Sequence, residues 1–449
     1  MRIKIPENVK KAMEILSENG FSAYIVGGCV RDSIMGKAPH DWDITTDANP
    51  DQIKSVFLGL KTFDTGVKYG TVSVKILGET LEITTFRDEQ NYSDHRAPET
   101  VSFVKSLEED LKRRDFTMNA LCTNGDDITD LFGGIKDIND KTIRAIGDPD
   151  ERFCEDALRI LRALRFSSVL GFEIEQETKK SIFKNRWLLR YISRERIRDE
   201  LLKLLAGENA KSVLLEYREI IAVAVPEVRR MFDFLQNTPH HKHDVYKHTV
   251  ESIANIGPNP ILRLAMLLHD IGKPSVLKID RNGIAHFKTH PGQSVKIADK
   301  VLHSLKMSNE DIKYILSLIK EHDNRVEESE RKMKKLLKEY DYNERFFEDY
   351  MKVRFADTNA QSEYLKKEKL ESLCTLYKSG SEFLKSNKAV KISELAIDGS
   401  DLLELGFFGK AIGDILEEMT ELIAFGKINN KREELIRFAK SKKKTANNL

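Results

Sequence analysis

The run Tyr24-Ile25-Val26-Gly27-Gly28-Cys29-Val30-Arg31-Asp32, with His40-Asp41-Trp42-Asp43-Ile44 close behind it, decides how this chain is read. Tyr24 to Val26 is a short strand-like run, and the glycine pair ends it before a helix-like segment. Glycines at such a junction let backbone N–H groups approach an anion, and Arg31 adds a group that pairs with phosphate. A plain turn is the competing reading. Asp41 and Asp43 stand at i and i+2, which on a strand puts both carboxylates on one face. Adjacent carboxylates repel unless a cation lies between them, and hard divalent cations prefer oxygen ligands. The bland alternative is an Asp-rich turn. A third acid, Glu82, lies in Leu81-Glu82-Ile83-Thr84-Thr85-Phe86 and faces away from Leu81, Ile83 and Thr85. Three carboxylates on neighbouring strands beside a phosphate-binding turn suit two-metal phosphoryl or nucleotidyl transfer.

Outward from this core, residues 8–18 read as a helix. Val72 to Leu77 and Leu81 to Phe86 read as a hairpin joined by Gly78-Glu79-Thr80. From about residue 150 nearly everything has helical period. An α/β head followed by a mainly α-helical remainder is the expected fold class. The 449 residues suggest two to four domains at ~100–200 residues each. A composition 40% hydrophobic and 32% charged is globular. Lys+Arg 73 against Asp+Glu 72 excludes a histone-like polycation and an acidic disordered solubiliser, but leaves nucleic-acid binding open. Cysteines stand at 29, 122, 154 and 374 with no C-x-x-C, which argues against a disulfide framework and for a reducing compartment. The N-terminal stretch carries no apolar signal core. Apolar runs such as Ile220 to Val225 fall far short of the ~20 residues of a bilayer span. A soluble cytoplasmic protein is expected, with Lys440 to Leu449 frayed.

Two further clusters carry recognition chemistry. Arg113-Arg114-Asp115-Phe116-Thr117-Met118-Asn119 groups two cations, an acid and an amide. Arg suits phosphate and Asp accepts from ribose hydroxyls, although alone the run also fits a surface charge cluster. Asp130-Leu131-Phe132-Gly133-Gly134 reads as a hinge. Beyond it, Arg152, Glu155, Asp156, Arg159 and Arg162 fall on one face of a predicted helix, with Phe153, Ala157, Ile160, Leu161 and Leu164 as its apolar stripe. Asp156 can accept from the amino group of C or A while Arg159 donates to ring acceptors. A solvated face of i,i+4 ion pairs is the alternative. Lys179 to Lys203 holds nine Lys/Arg (179, 180, 184, 186, 190, 194, 196, 198, 203) against three acids (195, 199, 200), a basic neck fit to follow an RNA backbone. Ser193 is the expected N-cap of its last helix.

These motifs, Gly-Gly-x-Val-Arg-Asp, Asp-x-Asp-Ile, Glu-Ile-Thr-Thr-Phe-Arg, Arg-Arg-Asp and Glu-Asp-x-x-Arg, resemble those of class II tRNA nucleotidyltransferases (CCA-adding enzymes) and bacterial poly(A) polymerases. The resemblance implies that Asp41 and Asp43 hold two Mg²⁺ ions, with Glu82 the third catalytic acid. It implies nucleotide binding by Gly27, Gly28, Arg31, Arg114, Asp115, Asn119, Asp156, Arg159 and Arg162. Asp115 would recognise the ribose, and Asp156 with Arg159 would choose CTP and then ATP. His40 stands where the family usually has Gly. Residues 88–102, including Asp94, His95, Arg96 and Pro98, look like the flexible loop of full CCA-adding members.

Eight of the eleven histidines lie between 240 and 303. The order His248, His269-Asp270, His290, His322, Asp357 resembles the HD phosphohydrolase superfamily, with Asp323 a rival for the last ligand. Imidazole and carboxylate suit a divalent transition metal, Mn, Fe, Ni, Co or Zn, and such domains hydrolyse phosphoesters with a metal-activated water. A degenerate domain without turnover is the alternative. His240, His241, His243 and His286 are expected near the site without binding metal. Gly406 and Gly413 are expected to bracket a turn in the terminal helical segment, which resembles the family's tail.

The expected organisation is therefore a nucleotidyltransferase head at 1–140, a helical neck and body at 141–238, an HD domain at 239–365 and a helical tail at 366–449. The implied partners are tRNA, CTP and ATP, with no membrane. Rival readings are a poly(A) polymerase or A-adding enzyme, and an HD phosphohydrolase whose head only binds RNA.

Overall fold

The computed structural model describes residues 3–90, 100–386 and 390–446. Its chain forms two compact units. One comprises Met1–Arg229 with Pro258–Pro260 and Val301–Ser308, and the other comprises Arg230–Gly257, Ile261–Lys300 and Asn309–Leu449.

The first unit is built on a seven-stranded mixed sheet. Its strands are β1 (Ala23–Val26), β2 (Asp43–Thr46), β3 (Thr62–Gly66), β4 (Thr71–Ile76), β5 (Glu79–Thr85), β6 (Leu121–Thr123) and β7 (Ile128–Asp130), in the order β3-β4-β5-β2-β1-β6-β7. β2 runs antiparallel to β1 and parallel to β5, and that parallel register sets Asp43 beside Glu82. Alternation along β5 buries Leu81, Ile83 and Thr85 and leaves Glu82 exposed, as its sequence pattern predicts. The helix Glu7–Glu18 buries Val9, Ala12 and Leu16, spaced three and four apart. The β4–β5 turn is Leu77-Gly78, both at positive φ, because Glu79 already pairs with Ile76. It therefore closes a residue earlier than the expected Gly78-Glu79-Thr80.

The remainder is mainly helical, in agreement with the sequence, but several local readings are corrected. The helix expected through residues 152–162 is two helices, Pro149–Glu155 and Leu158–Leu170, broken at Asp156 (φ −135°, ψ 99°). Asp156 Oδ1 accepts from the Leu158 N–H at 3.1 Å and so takes the place of helical continuity there. All five predicted stripe residues, Phe153, Ala157, Ile160, Leu161 and Leu164, are nonetheless buried. The stretch read as a hinge is a pinned strand-to-helix turn. The Asp130 carboxylate accepts from the N–H groups of Gly134 (2.8 Å) and Ile135 (2.9 Å), and a Cβ on Gly134 would fall 2.3 Å from the Thr117 carbonyl oxygen. Ser193 sits at the N-cap of Arg194–Ala206 without a side-chain cap bond. The basic neck is partly neutralised, because Lys179, Lys180, Lys184, Arg196 and Arg198 pair with Glu216, Glu177, Asp150, Asp156 and Asp199.

In the second unit the helices Val245–Ala254, Pro260–Leu268, His290–Ser304, Asn309–Glu321 and Glu344–Ala360 carry the histidine motifs. Met419, Leu402, Leu435 and Ala439 centre a separate small core near the C-terminus. There the turn is bracketed by Gly406 and Gly409, both at positive φ, while Gly413 lies inside the helix Lys410–Ala424. The helix Arg432–Ala446 covers most of the segment expected to fray. Asp94, His95, Arg96 and Pro98 lie outside the described residues. Among the described residues, no helix is long and apolar enough to cross a membrane.

Candidate active site and candidate metal centre

The first site is a cavity of about 830 Å³ in the first unit. Gly27, Gly28, Arg31, Asp41 and Asp43 line it, with Arg114, Asp115, Asn119, Asp156, Arg159 and Arg162. Eleven of the twelve catalytic and nucleotide-binding residues expected from the head and neck thus meet there, and the twelfth, Glu82, is beside Asp43 in the sheet. Asp41 precedes β2 rather than lying within it. Loss of surrounding water raises the Asp43 carboxyl above its usual range. Arg114 opposes that rise, and the charges of Glu82 and Asp41 add to it. A set of acids that resists its own charge fits a site for divalent cations.

Gly27 has φ 86°, and a Cβ there would fall 3.2 Å from Arg114 Nη1, so the glycine admits both the turn and the guanidinium. Arg114 and Arg113 are anchored by Asp110, which is fully buried one helical turn earlier. Their charges outweigh its burial and hold its carboxyl below the usual range. Arg31 Nη1 donates to Asn119 Oδ1 (2.6 Å), and Asn119 Nδ2 donates to Asp115 Oδ1 (3.0 Å). Asp115 Oδ2 accepts from Arg162 Nε (2.7 Å). Burial raises the Asp115 carboxyl, but Arg162 and Asn119 prevail and bring it to about 2. The Arg159 backbone N–H donates to the Asp156 carbonyl (3.0 Å), but its guanidinium does not pair with the Asp156 carboxylate. Its Nη1 donates to Glu155 Oε2 (2.6 Å) and its Nη2 to the Arg113 carbonyl (2.7 Å). Asp156 Oδ2 instead accepts from Arg196 Nη2 at 2.7 Å. The sequence reading missed Asp110, Arg196, Arg165 and Phe166. The last three also line the cavity, and Arg165 stacks over the Phe166 ring at 4.1 Å.

The second site lies within the second unit. His248, His269, Asp270 and Asp357 form one potential metal-holding group, and Asp270, His290 and His322 form another that shares Asp270. Asp323, the rival ligand, is exposed and belongs to neither. Three imidazoles are locked in one orientation. Nδ1 of His269, His290 and His322 lies 2.6, 2.8 and 2.7 Å from the carbonyl oxygens of Met266, Phe287 and Ile319. A carbonyl only accepts, so each Nδ1 carries the proton and each Nε2 lone pair points inward. His290 Nε2 and His322 Nε2 then face each other at 3.0 Å, two acceptors in contact. His269 Nε2 and both Asp270 oxygens are buried without a hydrogen-bond partner, although Lys273 Nζ pairs with Asp270 Oδ2 at 2.6 Å. Inward-aimed lone pairs with no donor fit a bound cation, and the backbone carbonyls behind them are the usual supports of metal-bound histidine. Of the four other histidines, His241 packs 4.7 Å from the His248 ring, His240 contacts Lys369, and His286 pairs with Asp280.

Residues 23–144 match the poly A polymerase head domain. Residues 171–231 match the probable RNA and SrmB-binding site of polymerase A, and residues 280–439 match a putative tRNA nucleotidyltransferase domain 2. The chain is 52% identical to the CCA-adding enzyme of Ligilactobacillus salivarius over 217 residues, 47% of this chain and about half (53%) of that protein. The structure of the Bacillus stearothermophilus CCA-adding enzyme in complex with CTP superposes with a TM-score of 0.70 at 26% identity, covering 98% of both chains. Identity to the Enterococcus faecalis CCA-adding enzyme is 33% over 452 residues, 98% of this chain and 97% of that one. On that end-to-end relationship, the chain belongs to the family of CCA-adding enzymes, with its poly(A) polymerase head and tRNA nucleotidyltransferase domains.

Proposed function

We propose that this protein adds CCA to the 3′ ends of tRNA in the cytoplasm, from CTP and ATP and without a nucleic-acid template. The observation that carries the reading is the meeting of Asp41 and Asp43 with an arginine-rich cavity that also holds Asp115, Asp156 and Arg159. Asp41, Asp43 and Glu82 would hold two Mg²⁺ ions, which lower the pKa of the attacking hydroxyl and offset charge on the triphosphate. Arg31 and Arg114, with the Gly27-Gly28 turn, bind the triphosphate. Asp115, oriented by Arg162 and Asn119, accepts from the ribose hydroxyl. Asp156 keeps lone pairs beyond those used by Arg196, so it can accept from the amino group shared by C and A. Arg159 supplies the donor beside it. In the transfer, the RNA 3′-oxygen bonds to the α-phosphorus and the bond to the pyrophosphate oxygen breaks. Pyrophosphate departs with that electron pair, and the hydroxyl proton goes to water. The test supplies a trimmed tRNA first with ATP alone and then with CTP and ATP, and sequences the ends. C-C-A only in the second reaction supports the reading, and A-tails from ATP alone favour a poly(A) polymerase.

A second reading rests on the inward lone pairs of His269, His290 and His322. His248, His269, Asp270, His290, His322 and Asp357 would hold a divalent transition metal that activates water for hydrolysis of a phosphomonoester or cyclic phosphodiester. His269→Ala should remove metal-dependent phosphatase activity while CCA addition survives. Loss of both would argue that the two activities are not separable.

A further inference from the structure

Asp41 and Asp43 border two cavities. The second, of about 720 Å³, is lined on its other sides by His40, Trp42, Glu82 and the Glu79-Thr80-Leu81 strand start. Glu82 lines this cavity and is not among the residues lining the first. The two differ sharply in charge. Eight arginines face the first. Among the described residues, no lysine or arginine lines the second, which instead has Asp41, Asp43, Glu79 and Glu82.

That difference assigns the two substrates of a nucleotidyl transfer. A triphosphate is drawn to the arginines and repelled by the acids. The other reactant is the end of an RNA strand, whose terminal nucleoside carries hydroxyls and a base and no phosphate of its own beyond the linkage behind it. In-line displacement brings the nucleophile in on the side opposite the departing pyrophosphate. A cavity that shares both aspartates but lacks the arginines meets that requirement. Trp42, half-buried and between the two aspartates in sequence, is among the residues lining it and carries a flat apolar ring, and the exposed His40 stands next to it. Bases of any kind stack on such a ring, which suits an acceptor end that changes with each added nucleotide.

We infer that the cavity of His40, Trp42 and Glu82 receives the 3′-terminal nucleoside of the acceptor RNA, with its base on the Trp42 ring and its ribose hydroxyls toward Glu82. The inference rests on the nucleotidyl-transfer reading and adds the place of the second substrate. The chain has two tryptophans, Trp42 and Trp187, and Trp187 lies outside both cavities, so Trp187→Phe leaves Trp42 as the sole emitter. A fluorescein-labelled RNA hairpin ending in unpaired nucleotides should quench Trp42 emission as it binds, and CTP alone should not. In steady-state assays Trp42→Ala should raise KM for the hairpin about tenfold, with KM for CTP unchanged, and Trp42→Phe should restore most of the loss. RNA that binds by anisotropy while Trp42 emission stays constant overturns the inference. So does a Trp42→Ala defect confined to KM for CTP. If Trp42→Ala does not fold, the Trp42→Phe kinetics and the titration decide. An enzyme that adds no nucleotide contradicts the parent reading; an active enzyme with an indifferent Trp42 contradicts this inference alone.

Discussion

Asp115→Asn removes one charge from the arginine-lined cavity and nearly nothing from the side chain's volume. Asp115 is 8% exposed and accepts from Arg162 at one oxygen and from Asn119 and the Phe116 N–H at the other. The amide keeps an acceptor for Asn119 but loses the charge that pairs Arg162. A carboxyl brought from its ordinary 3.8 to about 2 favours the folded state by about 2.5 kcal/mol near neutral pH. Arg162, about a third exposed, recovers some water when the pair is lost, so the expected cost is about 2 kcal/mol. The sign follows from a folded pKa below the unfolded one. The contribution is present above about pH 4, declines as pH falls toward about 2, and is gone below that. Both tryptophans lie in the first unit, so their emission during urea titration reports that unit. Asp115→Asn should lower the urea midpoint at pH 7 with an unchanged slope. The gap between the two proteins should close near pH 2. Equal midpoints at pH 7, or a gap that persists at pH 2, would refute the reasoning.

Three other perturbations separate the parts of the account. Gly27→Ala forces a side chain into φ 86°, ψ −133° against Arg114, which costs about 1–3 kcal/mol; calorimetry should show a lower melting temperature, and kinetics a raised KM for CTP. Asp357→Ala should cost more than tenfold in transition-metal affinity, measured by metal analysis after dialysis, while Asp323→Ala, at an exposed position, should retain the wild-type metal content. Arg196→Met frees the Asp156 carboxylate from its ion pair, so preference for CTP over UTP should fall about tenfold, with the melting temperature nearly unchanged.

The sequence spoke most clearly where chemistry and local geometry coincide. Gly27-Gly28 after an apolar run, two aspartates two apart and a glutamate in a strand-like pattern need few contacts to be understood. His269, His290 and His322 were legible because they stand at helix ends, where a backbone carbonyl three residues back orients each ring. Pairing at long range was not legible. Asp156 with Arg196, Asp115 with Arg162 and Arg31 with Asn119 are 40, 47 and 88 residues apart. A neck with nine cations offers many equivalent partners. The break at Asp156 was hidden because residues on both sides keep their three- and four-residue spacing across it, so the periodicity alone reads as one helix. Asp110 looked like one acid among several in Leu107–Lys112, and only its complete burial marks it as the anchor of Arg113 and Arg114.

The central claim is that Asp41 and Asp43 form the transfer centre of a CCA-adding enzyme. Its most direct test is the sequence of tRNA 3′ ends after incubation of an end-trimmed tRNA with CTP, ATP and Mg²⁺, with the wild-type protein and with Asp41→Ala. The account predicts C-C-A restored by the wild type and no nucleotide added by the variant. Incorporation retained by Asp41→Ala would contradict it.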